Sequence, residues 1–292
     1  MNDEYPLVSV IIPCYNHELF VQECIQSVIE QDYQNLELII IDDGSKDNSI
    51  YKIKEMISIC ETRFTKFEFR HRENKGLCST LNEALEWTQG KYICSLASDD
   101  IWVNNKISLQ VNYLNHNHQC IGVFGNITLI DESSRSIKCI SHRSKKFTFT
   151  DILLHNCYLP APTNMCRAIE LKKHSYDSNI KIEDWYMWLK LVEKGGTLDY
   201  IDHNLALYRQ HTNNTSKQFK EMMNARLDVL NHFKHHKDFN YAKACAYLVA
   251  ANDNVSSNKQ ESFSYYKKYL SYNPINFFRI KSLRYLAKYG LK

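Results

Sequence analysis

Carboxylate side chains stand close behind two strongly apolar runs of the chain. Asp43 follows the first run, and the adjacent pair Asp99 and Asp100 follows a later one. Crowded carboxylates repel one another unless a cation or a hydrogen-bond donor offsets their charge, and oxygen ligands of this kind suit Mg²⁺ or Mn²⁺. The pair could therefore bind a divalent metal that in turn holds a diphosphate. The alternative is that Asp99 and Asp100 only cap a helix that begins near Trp102.

The elements that must position these acids alternate along the first hundred residues. Apolar runs predict strands, and helical spacing predicts helices, at residues 8–12 (strand), 17–31 (helix), 36–41 (strand), 47–60 (helix), 67–70 (strand), a segment from 77 (helix) and 92–96 (strand). Pro13 is expected to end the first strand because it has no N–H. The alternation predicts an α/β domain with a mostly parallel sheet, helices on both faces and a ligand site at the carboxyl ends of the strands.

The chain changes character near residue 217. Beyond it the pattern predicts only helices, at 219–233, 241–251, 262–270 and from 274 onward. A basic C-terminal extension is also expected, because residues 217–292 hold 14 Lys or Arg against 5 Asp or Glu, a net +9, whereas residues 1–216 carry a net −6. We therefore predict two domains, an α/β domain of residues 1–216 and an all-helical extension of residues 217–292.

The basic, aromatic-rich extension suits an anionic surface such as membrane lipid or nucleic acid, although a solvated lysine-rich helix face would look the same. Residues 274–292 are predicted to form an amphipathic helix that docks on the anionic inner leaflet. Its apolar residues are Ile275, Phe277, Phe278, Ile280, Leu283 and Leu286, and its basic residues are Arg279, Lys281, Arg284, Lys288 and Lys292. The alternative is that the apolar residues pack on the preceding helices.

Composition excludes several other classes of protein. Hydrophobic residues at 44% and charged residues at 24% are typical of a folded globular chain. The sequence has no apolar run of about 18 residues and no apolar signal core, so we expect neither a membrane span nor export, and residence in the cytosol. The 10 cysteines are scattered without a CxxC pair and are expected to be reduced. Neither GxGxxG nor GxxxxGK[ST] occurs, which argues against dinucleotide and P-loop sites.

Six segments of the chain together resemble one enzyme family. They are Val8-Ser9-Val10-Ile11-Ile12-Pro13-Cys14-Tyr15-Asn16, Ile41-Asp42-Asp43-Gly44-Ser45-Lys46-Asp47, Asn74-Lys75-Gly76-Leu77 with Asn82, Ser98-Asp99-Asp100, Glu183-Asp184, and Tyr208-Arg209-Gln210-His211 with Asn214 and Ser216. In this order and spacing, over about residues 5–216, they resemble the family 2 inverting glycosyltransferases of the GT-A fold. Each segment is weak alone, but six in the family's order make coincidence improbable.

The resemblance implies a nucleotide-sugar site. Its residues would be Pro13, Asn16, Asp43, Lys75, Asp99, Arg209 and His211. Within it, Asp43 would hydrogen-bond the uracil ring and Asp99 would lie by the ribose. Asp100 and His211 would bind the metal cofactor, Mn²⁺ or Mg²⁺. Position 98, which is acidic in many relatives, is Ser98 here, so this chain lacks one carboxylate that those relatives have.

Inverting transfer also requires a carboxylate that removes the proton of the attacking acceptor hydroxyl, while positive charge stabilises the departing diphosphate. The resemblance implies that Asp184 is this base, and Glu183 is its rival. Trp188 is predicted to be core. Trp185 could instead stack on the acceptor sugar, so Trp185 and Glu183 are the predicted acceptor residues.

The predicted activity is transfer of a hexose or N-acetylhexosamine from a UDP-sugar to a glycan acceptor, with a lipid-linked O-antigen or capsule repeat unit as the expected acceptor. Addition of a single sugar is favoured because the Gln-x-x-Arg-Trp run of processive relatives is absent. The enzyme is expected at the inner face of the cytoplasmic membrane and not on nucleic acid. Two alternatives are a non-catalytic sugar-nucleotide or glycan-binding protein and a sugar-nucleotide pyrophosphorylase, which would need a glycine-rich loop after the first strand.

Overall fold

The computed structural model describes residues 5–211 and 219–290. Within these ranges the strands form one mixed sheet. They are β1 (Val8–Cys14), β2 (Leu36–Asp42), β3 (Lys66–His71), β4 (Tyr92–Ser95), β5 (Ile101–Trp102), β6 (Cys120–Ile130), β7 (Ser136–Ile140), β8 (Lys145–Phe147), β9 (Met165–Arg167) and β10 (Thr197–Arg209).

The helices of the same ranges are α1 (Val21–Ile29), α2 (Ser49–Lys54), α3 (Ile57–Arg63), α4 (Leu77–Trp87), α5 (Lys106–His116), α6 (Phe149–Leu153), α7 (Ala168–Leu171), α8 (Glu183–Val192), α9 (Phe219–Asn231), α10 (Phe239–Asn254), α11 (Lys259–Tyr272) and α12 (Ile280–Tyr289). Two short 3₁₀ helices cover Ala161–Thr163 and Pro274–Phe278. None of the helices in the described part of the chain is both long and apolar enough to span a membrane.

The sheet has the strand order β3-β2-β1-β4-β9-β6-β10-β5. Its first four strands are parallel, as the alternating pattern predicts. The short strand β9 then lies antiparallel between β4 and β6, and β10 runs parallel to β6. Two antiparallel steps restore the direction, so β1, β4 and β10 all end at the same edge of the sheet. This edge is where the predicted site residues gather.

Amphipathic helices cover the sheet on both sides. Helix α1 buries Val21, Cys24, Ile25 and Val28 in one hydrophobic cluster with alternate residues of β1 and β2, while α4 lies against the same two strands with Leu81, Ala84 and Leu85 buried. Every residue of β2 is buried, which is typical of a parallel strand covered on both faces. The predicted fold class, an α/β sheet domain with a helical C-terminal region, is confirmed.

Pro13 does not end the first strand, contrary to the sequence prediction. β1 continues to Cys14, and Pro13 stays in register with Ile41. The Cys14 carbonyl accepts a hydrogen bond from the Asp43 N–H, so Cys14 faces β2 and Pro13 faces the opposite neighbour, β4. Because β4 pairs with β1 only as far as Ile11, the missing N–H of Pro13 has no ladder partner to lose.

Two helix predictions are also wrong. The helix expected over 47–60 is two helices, α2 and α3. The helix expected near Trp102 begins only at Lys106, because Ile101 and Trp102 form the short strand β5, which pairs with β10. Asp99 and Asp100 therefore do not cap a helix, and the capping alternative is excluded.

The chain divides into two compact units. We call residues 1–148, 158–178 and 190–212 the sheet unit, and residues 149–157, 179–189 and 213–292 the helical unit. The helical unit thus contains α9–α12 together with two short segments from earlier in the chain. The predicted domain boundary at 216/217 lies outside the described residues and stays a prediction.

The C-terminal tail is not one helix from residue 274, contrary to the prediction. Pro274–Phe278 is a 3₁₀ helix, and α12 follows from Ile280 to Tyr289. Tyr285 is fully buried, and its ring stacks on Tyr266 of α11 with 4.4 Å between ring centroids. The inward face of α12, which carries Tyr285, therefore packs on the preceding helices. The alternative expected the apolar residues of the tail to pack there, but Ile275, Phe277, Phe278, Ile280 and Leu283 are all exposed. Lys292 lies outside the described residues.

Candidate active site

The loop after β1 is held against the loop after β2. Asn16 has a positive φ of 55°, a conformation that Asn adopts more readily than most residues. Its N–H donates to Ser45 Oγ (2.8 Å), and its side-chain Oδ1 accepts from the Lys46 N–H (2.7 Å). The structure thereby places Pro13 and Asn16 at the carboxyl edge of the sheet beside the Asp43 loop, where a nucleotide mouth is predicted.

Asp43 is buried and oriented by backbone donors. Its carboxylate accepts hydrogen bonds from the N–H groups of Lys75 (2.9 Å) and Gly76 (2.8 Å) and from the Arg72 guanidinium. Gly76 has φ of +87°, which favours glycine at the start of α4. Lys75 therefore contributes its backbone to this cluster, and its side chain is exposed.

Arg72 was missed by the sequence analysis. Besides Asp43 it donates to Glu83 Oε2 (2.9 Å) and to Thr80 Oγ1 (2.9 Å), so one guanidinium joins the loop after β3 to helix α4. Its position two residues before the Asn74-Lys75-Gly76 segment was the available signal. A carboxylate held in this orientation is preorganised to accept a hydrogen bond from a nucleobase.

Asp99, His211 and His17 converge at the same edge of the sheet. His211 Nε2 lies 2.8 Å from Asp99 Oδ2, and His17 Nε2 lies 3.9 Å from the same oxygen. One ligand atom of each residue lies within 4.8 Å of the others. Phe20 supports both imidazoles, because its ring stacks on His211 and meets His17 edge-on. One carboxylate and two imidazoles are a donor set that fits a divalent cation.

Asp100 lies apart from this donor set. It is 1% exposed, and its Oδ1 accepts a hydrogen bond from the backbone N–H of Arg209 (2.9 Å). Burial, and next the charge of Asp99, raise the pKa of its carboxyl group well above the usual value. The family resemblance implies Asp100 as the metal ligand and places Asp99 by the ribose. The geometry favours Asp99 as the cation ligand, one residue earlier, because Asp100 points into the protein.

Arg209 is fully buried, and its guanidinium fastens the end of β10. Nε donates to the Asp99 carbonyl (2.8 Å), Nη2 donates to Glu23 Oε2 (2.6 Å), and Nη1 donates to the Asp131 carbonyl (3.0 Å). The guanidinium also lies over the Phe20 ring. These contacts make Arg209 an organiser of the loops around Asp99, and its predicted place in the nucleotide-sugar site stays a prediction. Asn214 and Ser216 lie outside the described residues.

The two candidate bases stand in the first turn of α8, in the helical unit. Burial raises the pKa of Glu183 to about 7, with the charge of Asp184 as the second cause. Burial also raises the pKa of Asp184, whose Oδ1 accepts the N–H of Trp185 (2.6 Å). Adjacent carboxyl groups with raised pKa values are suited to exchange a proton near neutral pH.

Trp185 and Trp188 are both buried. Trp185 Nε1 donates to the Ile152 carbonyl (3.2 Å), and its ring stacks on His155 with 4.3 Å between centroids. One face of this indole is therefore covered within the helical unit, so its predicted stacking on an acceptor sugar would have to use the other face. The burial of Trp188 agrees with its predicted place in the core.

Comparisons with known proteins find relatives in sequence and in fold. The chain is 32% identical to the Escherichia coli enzyme UDP-Glc:alpha-D-GlcNAc-diphosphoundecaprenol beta-1,3-glucosyltransferase WfgD, over 79% of this chain and 87% of WfgD. The structure of S. aureus TarS 1-349 in complex with UDP-GlcNAc matches with a TM-score of 0.62 and 17% identity, over 97% of this chain and 80% of that chain. Mannosyltransferase PcManGT from Pyrobaculum calidifontis, in complex with GDP-Man and Mn²⁺, matches with a TM-score of 0.59 and 14% identity, over 98% and 86% of the two chains.

The structural matches show the fold, and the sequence comparisons show the family. The model of the family described as Glycosyl transferase family 2 matches residues 9–174. That segment is more than half of the chain and contains all but the first residue of β1, the whole of β2 to β4, the Asp43 loop and the Asp99 turn. This chain therefore belongs to glycosyl transferase family 2.

Proposed function

We propose that this glycosyltransferase moves a single hexose or N-acetylhexosamine from a UDP-sugar to a lipid-linked glycan, with inversion at the anomeric carbon. The observation that carries the proposal is the convergence of Asp99, His211 and His17 beside the Asp43 loop. WfgD, whose name specifies a UDP-Glc donor and a diphosphoundecaprenol-linked acceptor, supports the donor and acceptor classes. An O-antigen or capsule repeat unit is an acceptor of this kind.

The residues of the sheet unit would bind and orient the donor. Asp43, fixed by Arg72 and two backbone N–H groups, would accept the N–H of the uracil ring. Asp99 and His211 would hold a divalent cation, Mn²⁺ or Mg²⁺, and their oxygen and nitrogen donors fit one. When bound, such a cation supplies positive charge for the oxyanions of the departing diphosphate. PcManGT, which has a similar fold, is in complex with Mn²⁺, and this supports the proposed cation.

The proton would be handled by the acidic pair of α8. In the proposed reaction Asp184 accepts the proton of the acceptor hydroxyl as its oxygen attacks the anomeric carbon, and the bond to the diphosphate breaks on the opposite side of the sugar. Glu183 stays next to the base and changes its charge near pH 7. Inversion follows from a single displacement, so the anomeric configuration of the product, determined by NMR, checks it.

We also propose that the tail docks the enzyme on an anionic membrane surface. Phe278 is 77% exposed and Ile280 is 68% exposed, and Ile275 and Leu283 are exposed on the same tail. Several exposed apolar side chains within one short segment are typical of a surface that contacts a partner or a membrane. Arg279 and Lys281 hydrogen-bond inside the helical unit, to Tyr241 and Asn156. Insertion of apolar side chains would therefore contribute more to the binding free energy than attraction between the basic residues and the lipid headgroups.

Co-sedimentation with anionic vesicles tests the docking proposal. Each inserted Phe or Ile side chain contributes about 2 kcal/mol when fully buried, so the double variant Phe278→Ser/Ile280→Ser should bind at least about tenfold more weakly even with partial insertion. Ile169→Ser, which removes an equally exposed side chain from the sheet unit, is the control and should bind like the wild type. Equal binding of the double variant would refute docking through the tail.

The proposed activity is tested with purified protein and a panel of UDP-, GDP- and dTDP-sugars in the presence of Mn²⁺. The acceptor is a synthetic lipid diphosphate that carries N-acetylglucosamine, and products are identified by mass. Addition of one sugar from a UDP-sugar supports the proposal. Transfer from a GDP- or dTDP-sugar alone would overturn the donor class, and a repeated mass increment would overturn single addition.

A further inference from the structure

His17 contributes a second imidazole to the cluster of Asp99 and His211, at a position that the sequence analysis did not assign. It lies between β1 and α1, four residues before the helix begins. We infer that His17 is the third protein ligand of the cation and that Ser98 orients its ring for this role. The inference rests on the proposed cation-dependent function.

The positions of the donor atoms fit one bound ion. Ligand atoms that share a cation at about 2.1 Å lie about 3 to 4 Å from one another. His17 Nε2 is 3.9 Å from Asp99 Oδ2, which is too long for a hydrogen bond but suits two ligands of one ion. His211 Nε2 is 2.8 Å from the same oxygen. All three donor atoms can therefore reach one ion with small movements of their side chains.

Ser98 fixes the orientation of the His17 ring. Its buried hydroxyl lies 2.8 Å from His17 Nδ1, on the side of the ring away from Asp99. When Nδ1–H donates to Ser98 Oγ, the lone pair of Nε2 is directed toward the carboxylate. A ligating histidine uses its second ring nitrogen in this way, and the partner fixes both the tautomer and the ring angle. Ser98, which stands where many relatives have an acidic residue, would thus orient the His17 ring.

The backbone of His17 is equally constrained. Its N–H donates to Ser49 Oγ (2.9 Å), and its carbonyl accepts the N–H groups of Phe20 (3.0 Å) and Val21 (2.9 Å) at the start of α1. The side chain is only about a quarter exposed. An imidazole that is fixed at its backbone, its ring face and its Nδ1 loses little freedom when its last nitrogen binds an ion.

A chemical consequence distinguishes this site from one built only of carboxylates. Mg²⁺ prefers oxygen ligands, whereas imidazole suits first-row transition metals. A donor set of two imidazoles and one carboxylate should therefore select Mn²⁺ over Mg²⁺. Without His17, this preference should become smaller because the set then has one nitrogen and one oxygen.

The test measures Mn²⁺ binding and nitrogen coordination, independently of turnover. Mn²⁺ is titrated into the full chain with and without UDP, and pulsed electron paramagnetic resonance counts the imidazole nitrogens on the bound ion. We expect two imidazoles in the wild type and one in His17→Ala, with Mn²⁺ affinity lowered at least about tenfold. Ser98→Ala should lower the affinity by about tenfold with the fold unchanged, and His17→Gln keeps the side-chain size if His17→Ala unfolds. His118→Ala, which removes an exposed imidazole, is the matched control.

Three results would overturn the inference, and they separate it from the proposed function. If His17→Ala keeps two imidazoles on Mn²⁺, or keeps wild-type affinity, His17 is not a ligand, while the Asp99 and His211 site stands. If Mn²⁺ in the wild type binds a single imidazole, and only His211→Ala removes it, His17 is likewise not a ligand. If the wild type binds no Mn²⁺ with or without UDP, the cation site fails as a whole, and sugar transfer in EDTA then decides whether the proposed activity survives.

Discussion

The acidic pair at the start of α8 gives a quantitative prediction for the pH dependence of transfer. Burial, and next the charge of Asp184, raise the pKa of Glu183 to about 7. A carboxyl group with a raised pKa keeps its proton below that pH and releases it above, so the pair holds one proton at pH 6 and none at pH 8. We expect the two adjacent carboxyl groups to share this proton, so Asp184 is fully available as the base only above about pH 7 and the transfer rate should rise with pH through that value.

The magnitude follows from this value. At pH 6, one unit below the pKa of Glu183, about one pair in ten is fully ionised, so kcat should be up to about tenfold below its plateau. Glu183→Gln removes both the shared proton and the neighbouring charge, so the rise of its rate should shift to lower pH. Asp184→Asn should lose about 10² or more at every pH, because it keeps the shape but cannot accept a proton.

The assay is the initial rate of UDP release between pH 5.5 and 8.5, with donor and acceptor saturating. Glu86→Gln, an exposed glutamate on α4, serves as the control and should keep the wild-type profile. If the rate of Glu183→Gln still falls below pH 7 as in the wild type, the titration near pH 7 does not belong to the pair. If Glu183→Gln is inactive and Asp184→Asn is active, Glu183 and not Asp184 is the general base.

Two further predictions concern the sheet unit. Asp99→Asn should weaken Mn²⁺ binding at least about tenfold, whereas Asp100→Asn, which keeps an acceptor for the Arg209 N–H, should change it less than about threefold. Calorimetric titration with Mn²⁺ measures both, and the opposite order would restore the metal to Asp100. Asp43→Ala should weaken UDP binding by about 1.5 to 3 kcal/mol, because a charge-assisted hydrogen bond to the base is lost. Unchanged UDP affinity would show that Asp43 does not contact the base.

The parallel half of the sheet was predictable because its apolar runs and helical spacings are local patterns. The hydrophobic residues of α1 and β2 must be buried in a folded chain, so those elements form where the sequence predicts them. The antiparallel insertion of β9 was not predictable, since three residues carry no pattern of their own. The position of Pro13 inside β1 was not predictable either, because a strand accepts a proline there only if β4 has already stopped pairing with β1.

The candidate site was predictable as a group of residues but not in its internal arrangement. Two adjacent acids in a turn point in different directions, and the turn at Ala97–Asp100 directs Asp99 to His211 while Asp100 meets the backbone of Arg209. Residue spacing contains no information on that choice. His17 and Arg72 were missed for a similar reason, because each acquires its partners only when distant loops come together at the carboxyl edge of the sheet.

The most direct test of the account is product formation by the wild-type enzyme and by Asp99→Asn, with a UDP-sugar and a lipid-diphosphate acceptor, in Mn²⁺ and in excess EDTA. We predict that the wild type adds one sugar in Mn²⁺, that EDTA stops the reaction, and that Asp99→Asn is inactive although it melts like the wild type. Full turnover in EDTA, or an Asp99→Asn variant as active as the wild type, would contradict the claim that a cation held at this carboxylate serves the transfer.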